Sequence, residues 1–260
     1  MTPEKAALVV ATVLFLGGFV HAFLSLRRGM YRHSWTALCL LAAGFVCQSL
    51  FLYWRGQELG RCPITTPFEL LTFTGWSMTL FYFVVGSAYR LSLLGAFTAP
   101  LAFAFQFAAL LMPDAHSASG KPAGGMWTEM HASLSLLSYG AFGLAFVAGI
   151  MFLIQDRLLK NHTGMNLVRT LPPVRYLARA LKRLLVTGTL ILTAGIVSAY
   201  QMETRPAAAK LVLVWGVWTA YALLLAYEYW RGMSARRAAW AATACFVLAV
   251  ASLWFVTPAR

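Results

Sequence analysis

Charge is scarce in this chain of 260 residues: Asp, Glu, Lys and Arg make up only 11%, and just eight residues are acidic. A soluble domain carries about 25% charged residues, so the surface of a soluble enzyme or a nucleic-acid-binding module cannot be assembled from it. The four cysteines, Cys39, Cys47, Cys62 and Cys245, include no C-x-x-C pair, no zinc spacing and no haem-attachment motif. Cys39 and Cys47 fall in an apolar run, where a small buried thiol is expected. A catalytic triad, a Walker loop, a dinucleotide fingerprint and a carboxylate pair are also missing, which excludes most enzymes of soluble substrates. No internal repeat or low-complexity segment occurs. Nor is there a series of acids within the apolar runs to carry a proton relay.

What the chain has is apolar length. Hydrophobic residues make up 60% and the mean hydropathy is +0.69, too much apolar surface for one core. The excess must face lipid. About 20 mostly apolar residues span a bilayer, and eight such runs occur, near residues 6–26, 35–54, 68–89, 91–112, 128–154, 184–202, 211–230 and 239–256. The expectation is an all-α polytopic membrane protein, a single transmembrane domain over 1–260 with about eight spanning helices. The first run follows Glu4 and Lys5 and precedes Arg27 and Arg28, so it reads as a retained span and not a cleaved signal peptide.

The net charge of +13 is explained by topology and requires no nucleic-acid partner. Loops after the odd-numbered spans hold fourteen Lys/Arg: Arg27, Arg28, Arg32, Arg90, Arg157, Lys160, Arg169, Arg175, Arg179, Lys182, Arg183, Arg231, Arg236 and Arg237. The other side holds seven: Lys5, Arg55, Arg61, Lys121, Arg205, Lys210 and Arg260. The richer side belongs in the cytoplasm, which places both termini and the loops 55–67, 113–127 and 203–210 outside a cytoplasmic (inner) membrane. The basic loop 155–183 is then cytoplasmic and is broken at Leu171-Pro172-Pro173. Beyond the prolines, Val174, Leu177, Leu181 and Leu184 alternate with Arg175, Arg179, Lys182 and Arg183 at helical spacing. This predicts one interfacial amphipathic helix whose partner is the anionic headgroups of membrane lipid.

Polar side chains within spans are functional candidates. His131 sits near the outer end of the fifth span, with Ser135 and Ser138 on its face and Tyr139 beside them. The stripe suits a neutral imidazole offered to a metal, its other nitrogen held by a hydroxyl or carbonyl. It equally suits an interfacial histidine above an ordinary serine-lined helix contact. His21, beside Gly17 and Gly18, reads as a packing or interfacial histidine, with a buried ligand as the weaker alternative. Glu228 lies within reach of Arg231, and Gln48 is the remaining polar candidate. His33, His116 and His162 fall in loops and read as solvated. Trp35, Trp54, Trp127, Trp230 and Trp240 fall near span ends, as an aromatic belt requires.

The order of these features resembles a known family. Trp127-x3-His131-x5-Leu137-Ser138-Tyr139 followed by the run 146–155 is similar to the central helix of the cytochrome c assembly membrane family (the CcsA/ResC type). Upstream, Arg61-Cys62-Pro63-Ile64-Thr65-Thr66-Pro67-Phe68-Glu69 is similar to that family's segment in which a proline and a glutamate open a helix. Downstream, Lys210-x4-Trp215-x2-Trp218-x2-Tyr221 and Arg231-Gly232-x3-Arg236-Arg237 match its last two helices. The resemblance implies a protein that binds haem, as haem b, near the extracytoplasmic side for cytochrome c biogenesis, with His131 at the axial-ligand position. It also implies a larger partner of the ResB type. The chain departs from the family in lacking the Trp-Asp signature ahead of the seventh span, in having no histidine after 256, and in carrying Glu228 where an inner histidine often stands. In these respects it is more similar to the short HemX-like and YpjD-like branch. An accessory assembly factor with no catalytic activity of its own is the first expectation. A haem-free regulatory or scaffolding protein that influences haem biosynthesis is the second, and a small-molecule transporter the third.

The topology is directly testable. Reporter fusions at Lys160 and Lys121 are expected to report opposite sides, with 160 cytoplasmic. An external reading at 160 would put His131 at the cytoplasmic end and overturn the orientation.

Overall fold

In lipid a backbone amide finds no water, so an apolar run closes its hydrogen bonds along its own helix. The computed structural model describes residues 3–27, 35–89, 92–112, 125–161, 173–202 and 208–256. Eight helices and no strand occur among them: α1 Pro3–Arg27, α2 Trp35–Leu59, α3 Pro67–Tyr89, α4 Ser92–Leu111, α5 Met126–Lys160, α6 Val174–Ala199, α7 Ala208–Arg231 and α8 Ala235–Val256. The first seven are long and apolar enough to cross a membrane, and α8 occupies the eighth expected run. Gly60 (φ +62°) and Gly232 (φ +66°) follow the last residues of α2 and α7 in the left-handed conformation that ends a helix with least strain.

Two elements differ from the sequence expectation. The amphipathic stretch after Pro173 is not a separate surface helix. It is continuous with the sixth span, and its apolar stripe (Leu177, Ala180, Leu181, Leu184, Leu185) is buried in the same core as the rest of α6. α5 extends to Lys160 and has 35 residues. At 1.5 Å per residue it is about 52 Å long, against roughly 30 Å of hydrocarbon. Residues 113–124, 162–172 and 203–207, which include His116, His162 and most of the loops discussed above, lie outside the described residues, as does His33.

The helices pack as two groups joined along α3 and α5. In the first, α1 lies against α2 and α4, and α3 against α4. In the second, α5 packs most extensively on α6 and also against α8 and, across the join, α3. Small residues on α5 make this possible. A Cβ on Gly143 would sit 3.2 Å from Phe246 and 3.3 Å from Met78 Sδ, and one on Gly149 would sit 3.3 Å from the Ala239 carbonyl oxygen. α7 is held lightly. Tyr221 stacks on Phe142 with ring centroids 3.7 Å apart, and Trp218 Nε1 donates to Thr193 Oγ1 at 2.9 Å. Most of α7, including Val212, Leu223 and Tyr229, faces outward, as a lipid-facing helix does. Trp35, Trp54, Trp127, Trp230 and Trp240 are all exposed near helix ends, where a belt would place them. Cys39 is exposed, contrary to the expectation of a buried thiol. The buried stripe of α2 runs through Ala37, Leu41, Gly44, Gln48, Phe51 and Arg55 and passes it by.

Gly140 marks the join, because a Cβ there would collide with Ser77 of α3, backbone included. Gly140→Val is expected to destabilise the protein by about 1–3 kcal/mol through overpacking. Thermal unfolding of the detergent-solubilised protein checks it, and an unchanged midpoint would mean that α3 and α5 do not meet there.

Candidate functional site

One end of the bundle gathers the starts of α1, α3 and α5 with the ends of α2 and α6, and both polar sites of interest lie there. The first is His131, in the second turn of α5. Its Nδ1 lies 2.6 Å from the backbone oxygen of Gly195 on α6. A carbonyl oxygen only accepts, so Nδ1 carries the proton and the lone pair of the neutral ring lies on Nε2. Nothing among the described residues hydrogen-bonds Nε2. The same Gly195 oxygen accepts from Ser198 Oγ at 2.7 Å.

The two serines lie further along α5. Ser135 lies against Gly195: a Cβ added to that glycine would sit 3.0 Å from Ser135 Oγ and 3.3 Å from Ser135 N. A side chain there would force Ser135 to give by a few tenths of an ångström, so glycine favours the close approach by which α6 presents its carbonyl to His131. Ser135 Oγ is buried with no hydrogen-bond partner among the described residues. Ser138 is fully buried and donates to Ser135 O at 2.6 Å, and Tyr139 is buried beside it.

The second site is a buried ion cluster. Arg55 near the end of α2 is only 1% exposed. Its Nε donates to Glu69 Oε1 at 3.4 Å, and its Nη1 lies 3.5 Å from Glu4 Oε1 and 3.8 Å from Glu58 Oε2. Glu69 also opens its own helix. Its Oε2 accepts from Thr65 N (2.9 Å), Thr65 Oγ1 (3.1 Å) and Thr66 N (3.2 Å), while Thr66 Oγ1 accepts from Glu69 N at 3.2 Å. This is a reciprocal capping box with Pro67 at the first helical position. The connection 60–66 therefore hangs on Glu69 and lies against α5. Ile64 packs with Leu136, Phe73 and Ala132, and Cys62 Sγ is 3.5 Å from Ser133 Oγ. Burial pushes the Cys62 thiol above its usual range, only partly countered by Ser133.

A polar layer lies further into the first group, beyond the apolar cluster Leu8, Phe51, Phe68 and Ala109. Gln48 is fully buried and donates to Thr72 O at 2.8 Å. Gln106 on α4 is fully buried too, with neither amide atom hydrogen-bonded among the described residues.

The remaining sequence candidates lie elsewhere. His21 Nε2 is 2.9 Å from Thr36 Oγ1 at the opposite end of the bundle. Glu228 is paired with Lys182 of α6 at 3.3 Å and not with Arg231. Trp215 stands at right angles to Trp218 on α7. Lys210 lies in the first turn of α7, its side chain outside the described residues. No group of three or more His, Cys, Asp or Glu able to hold a metal ion occurs among the described residues.

Sequence reasoning missed the cluster of Arg55 with Glu4, the carbonyl of Gly195 and the buried Gln106. The Thr66-x-x-Glu69 spacing with Pro67 carried a readable capping signal. Nothing in the chain's order points to the Arg55–Glu4 pair.

The model described as "Cytochrome C assembly protein" matches residues 65–257, more than half of the chain. The match opens at Thr65, a ligand of Glu69, and includes His131 and Gly195. Protein HemX of Brevibacillus brevis is 25% identical over 226 residues, covering 86% of this chain and 80% of that protein. Protein HemX of Bacillus subtilis (strain 168) is 28% identical over 229 residues, covering 82% and 80%. Cytochrome c biogenesis protein CcsA of Nostoc punctiforme is 31% identical over 121 residues, 45% of this chain but only 34% of its own length.

Removing Arg55 strands Glu4 and Glu69 without their cation. Arg55→Leu is expected to cost about 3–5 kcal/mol, the usual penalty for breaking a buried pair from one side. Arg236→Gln, which loses an exposed 3.6 Å contact with Asp156, is expected to cost about 0–1 kcal/mol. Equal melting temperatures for the two variants would disprove the burial of the cluster.

Proposed function

This chain belongs to the cytochrome c assembly protein family, and we propose that it binds haem at the end carrying His131, as an accessory factor of cytochrome c biogenesis with no bond-making activity of its own. The observation that carries the reading is the state of His131. Gly195 O holds the proton on Nδ1 at 2.6 Å and leaves the Nε2 lone pair uncommitted. Histidines that bind a metal are held in this way, with the second nitrogen donating to a carbonyl or carboxylate. His131 Nε2 is the atom that would hold haem iron. Ser135, Ser138 and Tyr139 follow on the same side of α5, further along the helix. When bound, haem supplies the porphyrin that an apocytochrome receives.

A single protein bond to the iron suits a carrier that must give its cargo up. In this reading the His131 end is extracytoplasmic in a cytoplasmic (inner) membrane. The opposite end carries Lys160, Lys182, Arg236 and the exposed Arg175 and Arg179, the bias expected of a cytoplasmic face. Membrane lipid and a larger ResB-type partner complete the proposal. A haem-free regulatory role is the second reading. It is favoured by coverage, since the chain matches 80% of the length of the HemX proteins and 34% of that of CcsA.

The experiment is haem analysis of the purified protein. Wild type is expected to carry substoichiometric b-type haem, and His131→Ala to lose it with its Soret band while still inserting into the membrane. His21→Ala is expected to have a smaller effect. Gly195→Val, which drives α6 away from α5, is expected to weaken haem binding by about tenfold, within the range seen when a ligating histidine loses its supporting carbonyl. A wild type that stays haem-free when haem is supplied, or a His131→Ala variant with its full Soret band, would sink the assignment and leave the regulatory reading.

A further inference from the structure

We propose that Glu69 is a positioning residue for His131, acting through the connection 60–66 and the first turns of α5; only the haem arm of its test rests on the reading of His131 as a haem ligand. Positions two apart on a helix point in nearly opposite directions. His131 and Ser135 face α6, whereas Ser133 and Leu136 face the connection 60–66 and α3. The start of α5 is thus held from two sides. On one side Gly195 meets His131 and Ser135. On the other, Cys62 meets Ser133, and Ile64 packs on Leu136.

The connection has little of its own to hold it. Its backbone makes one internal hydrogen bond, from Ile64 N to Cys62 O at 3.0 Å, and Arg61 Nη1 donates to Thr65 Oγ1 at 2.7 Å. The Glu69 carboxylate supplies three further contacts, from Thr65 N, Thr65 Oγ1 and Thr66 N, and is itself fixed by Arg55. Moving that carboxylate moves the connection. The wall behind the start of α5 then loosens, and the 2.6 Å contact on the far side is no longer enforced.

The test uses the full chain in detergent micelles without haem. Alkylation of Cys62 by N-ethylmaleimide and ethoxycarbonylation of His131 by diethyl pyrocarbonate are read by peptide mass spectrometry. His21, at the opposite end, is the reference for general loosening. Glu69→Gln is expected to raise both rates about fivefold or more through local opening, leaving His21 unchanged. Thr65→Val, which removes one of the three contacts together with the Arg61 hydrogen bond, is expected to move both rates in the same direction by less, and it carries the decision if Glu69→Gln does not fold. In the haem-loaded protein, Glu69→Gln is expected to shift the Soret band and lower retained haem by about tenfold. Cys62 exposed with His131 unchanged would overturn the proposal, as would both rates unchanged, or a rise at His21 equal to that at His131. If wild type binds no haem, the haem assignment fails alone and the two modification rates still decide the role of Glu69.

Discussion

Lipid offers no hydrogen bonds, so a polar side chain in this bundle that is to be satisfied must find its partner within the protein. Most solve the problem locally. Thr12, Thr72, Thr79, Thr98, Thr189 and Thr243 each donate to the carbonyl four residues back, so they need no neighbouring helix. Other groups pin helices to one another: Gln48 to Thr72 O, Trp76 to Ser49, Trp218 to Thr193 and His131 to Gly195, while Ser77 bonds both Thr74 O of its own helix and Leu136 O of α5. Such contacts average only about 0.6 kcal/mol each between membrane helices. Their main effect is to fix register, while the close approach of small residues on α5 supplies the packing.

The ion cluster follows different energetics. Burying Arg55 with Glu4 and Glu69 costs desolvation that their mutual attraction barely returns, and an apolar layer of the same shape is often as stable. What the cluster does that leucines cannot is join the start of α1, the end of α2 and the start of α3 through one guanidinium while ordering the connection 60–66 through one carboxylate. Glu69 satisfies its lone pairs in two directions at once. The opposite end uses exposed pairs, Lys182–Glu228 and Asp156 with Lys160 and Arg236, whose strength water and salt limit.

The spans were legible because hydropathy over about 20 residues is a property of composition, and the His131–Ser135–Ser138 stripe was legible because helical periodicity is local. What failed to show in sequence was contact between distant segments. Arg55 follows Trp54 and looks like a solvated loop charge until α2 is seen to carry it inward beside Glu4. Gly195 gives no sign that its carbonyl meets His131, since the acceptor is backbone and any residue has one. The amphipathic pattern after Pro173 marks a helix. Its apolar stripe then had two possible covers, lipid surface or α5, and periodicity cannot choose between them. α5 covers it, and the segment becomes the first turns of a span. Cys39 shows the converse limit, because an apolar run does not say which of its members face inward.

His131 and His21 carry the same side chain near opposite ends of the bundle, and the difference between them is one of partner chemistry. The Thr36 hydroxyl beside His21 both donates and accepts, so that contact by itself selects neither tautomer. The Gly195 carbonyl beside His131 accepts only, so it selects one tautomer and directs the lone pair away from α6. That selection requires the carbonyl to stay in place, which the close approach at Gly195 favours and which needs a start of α5 that cannot retreat, and hence a wall on its other face. The wall is the connection that Glu69 holds. The buried charge cluster, the capped start of α3 and the imidazole on α5 are therefore consecutive parts of one mechanical path, and the orientation of the His131 ring is where that path ends.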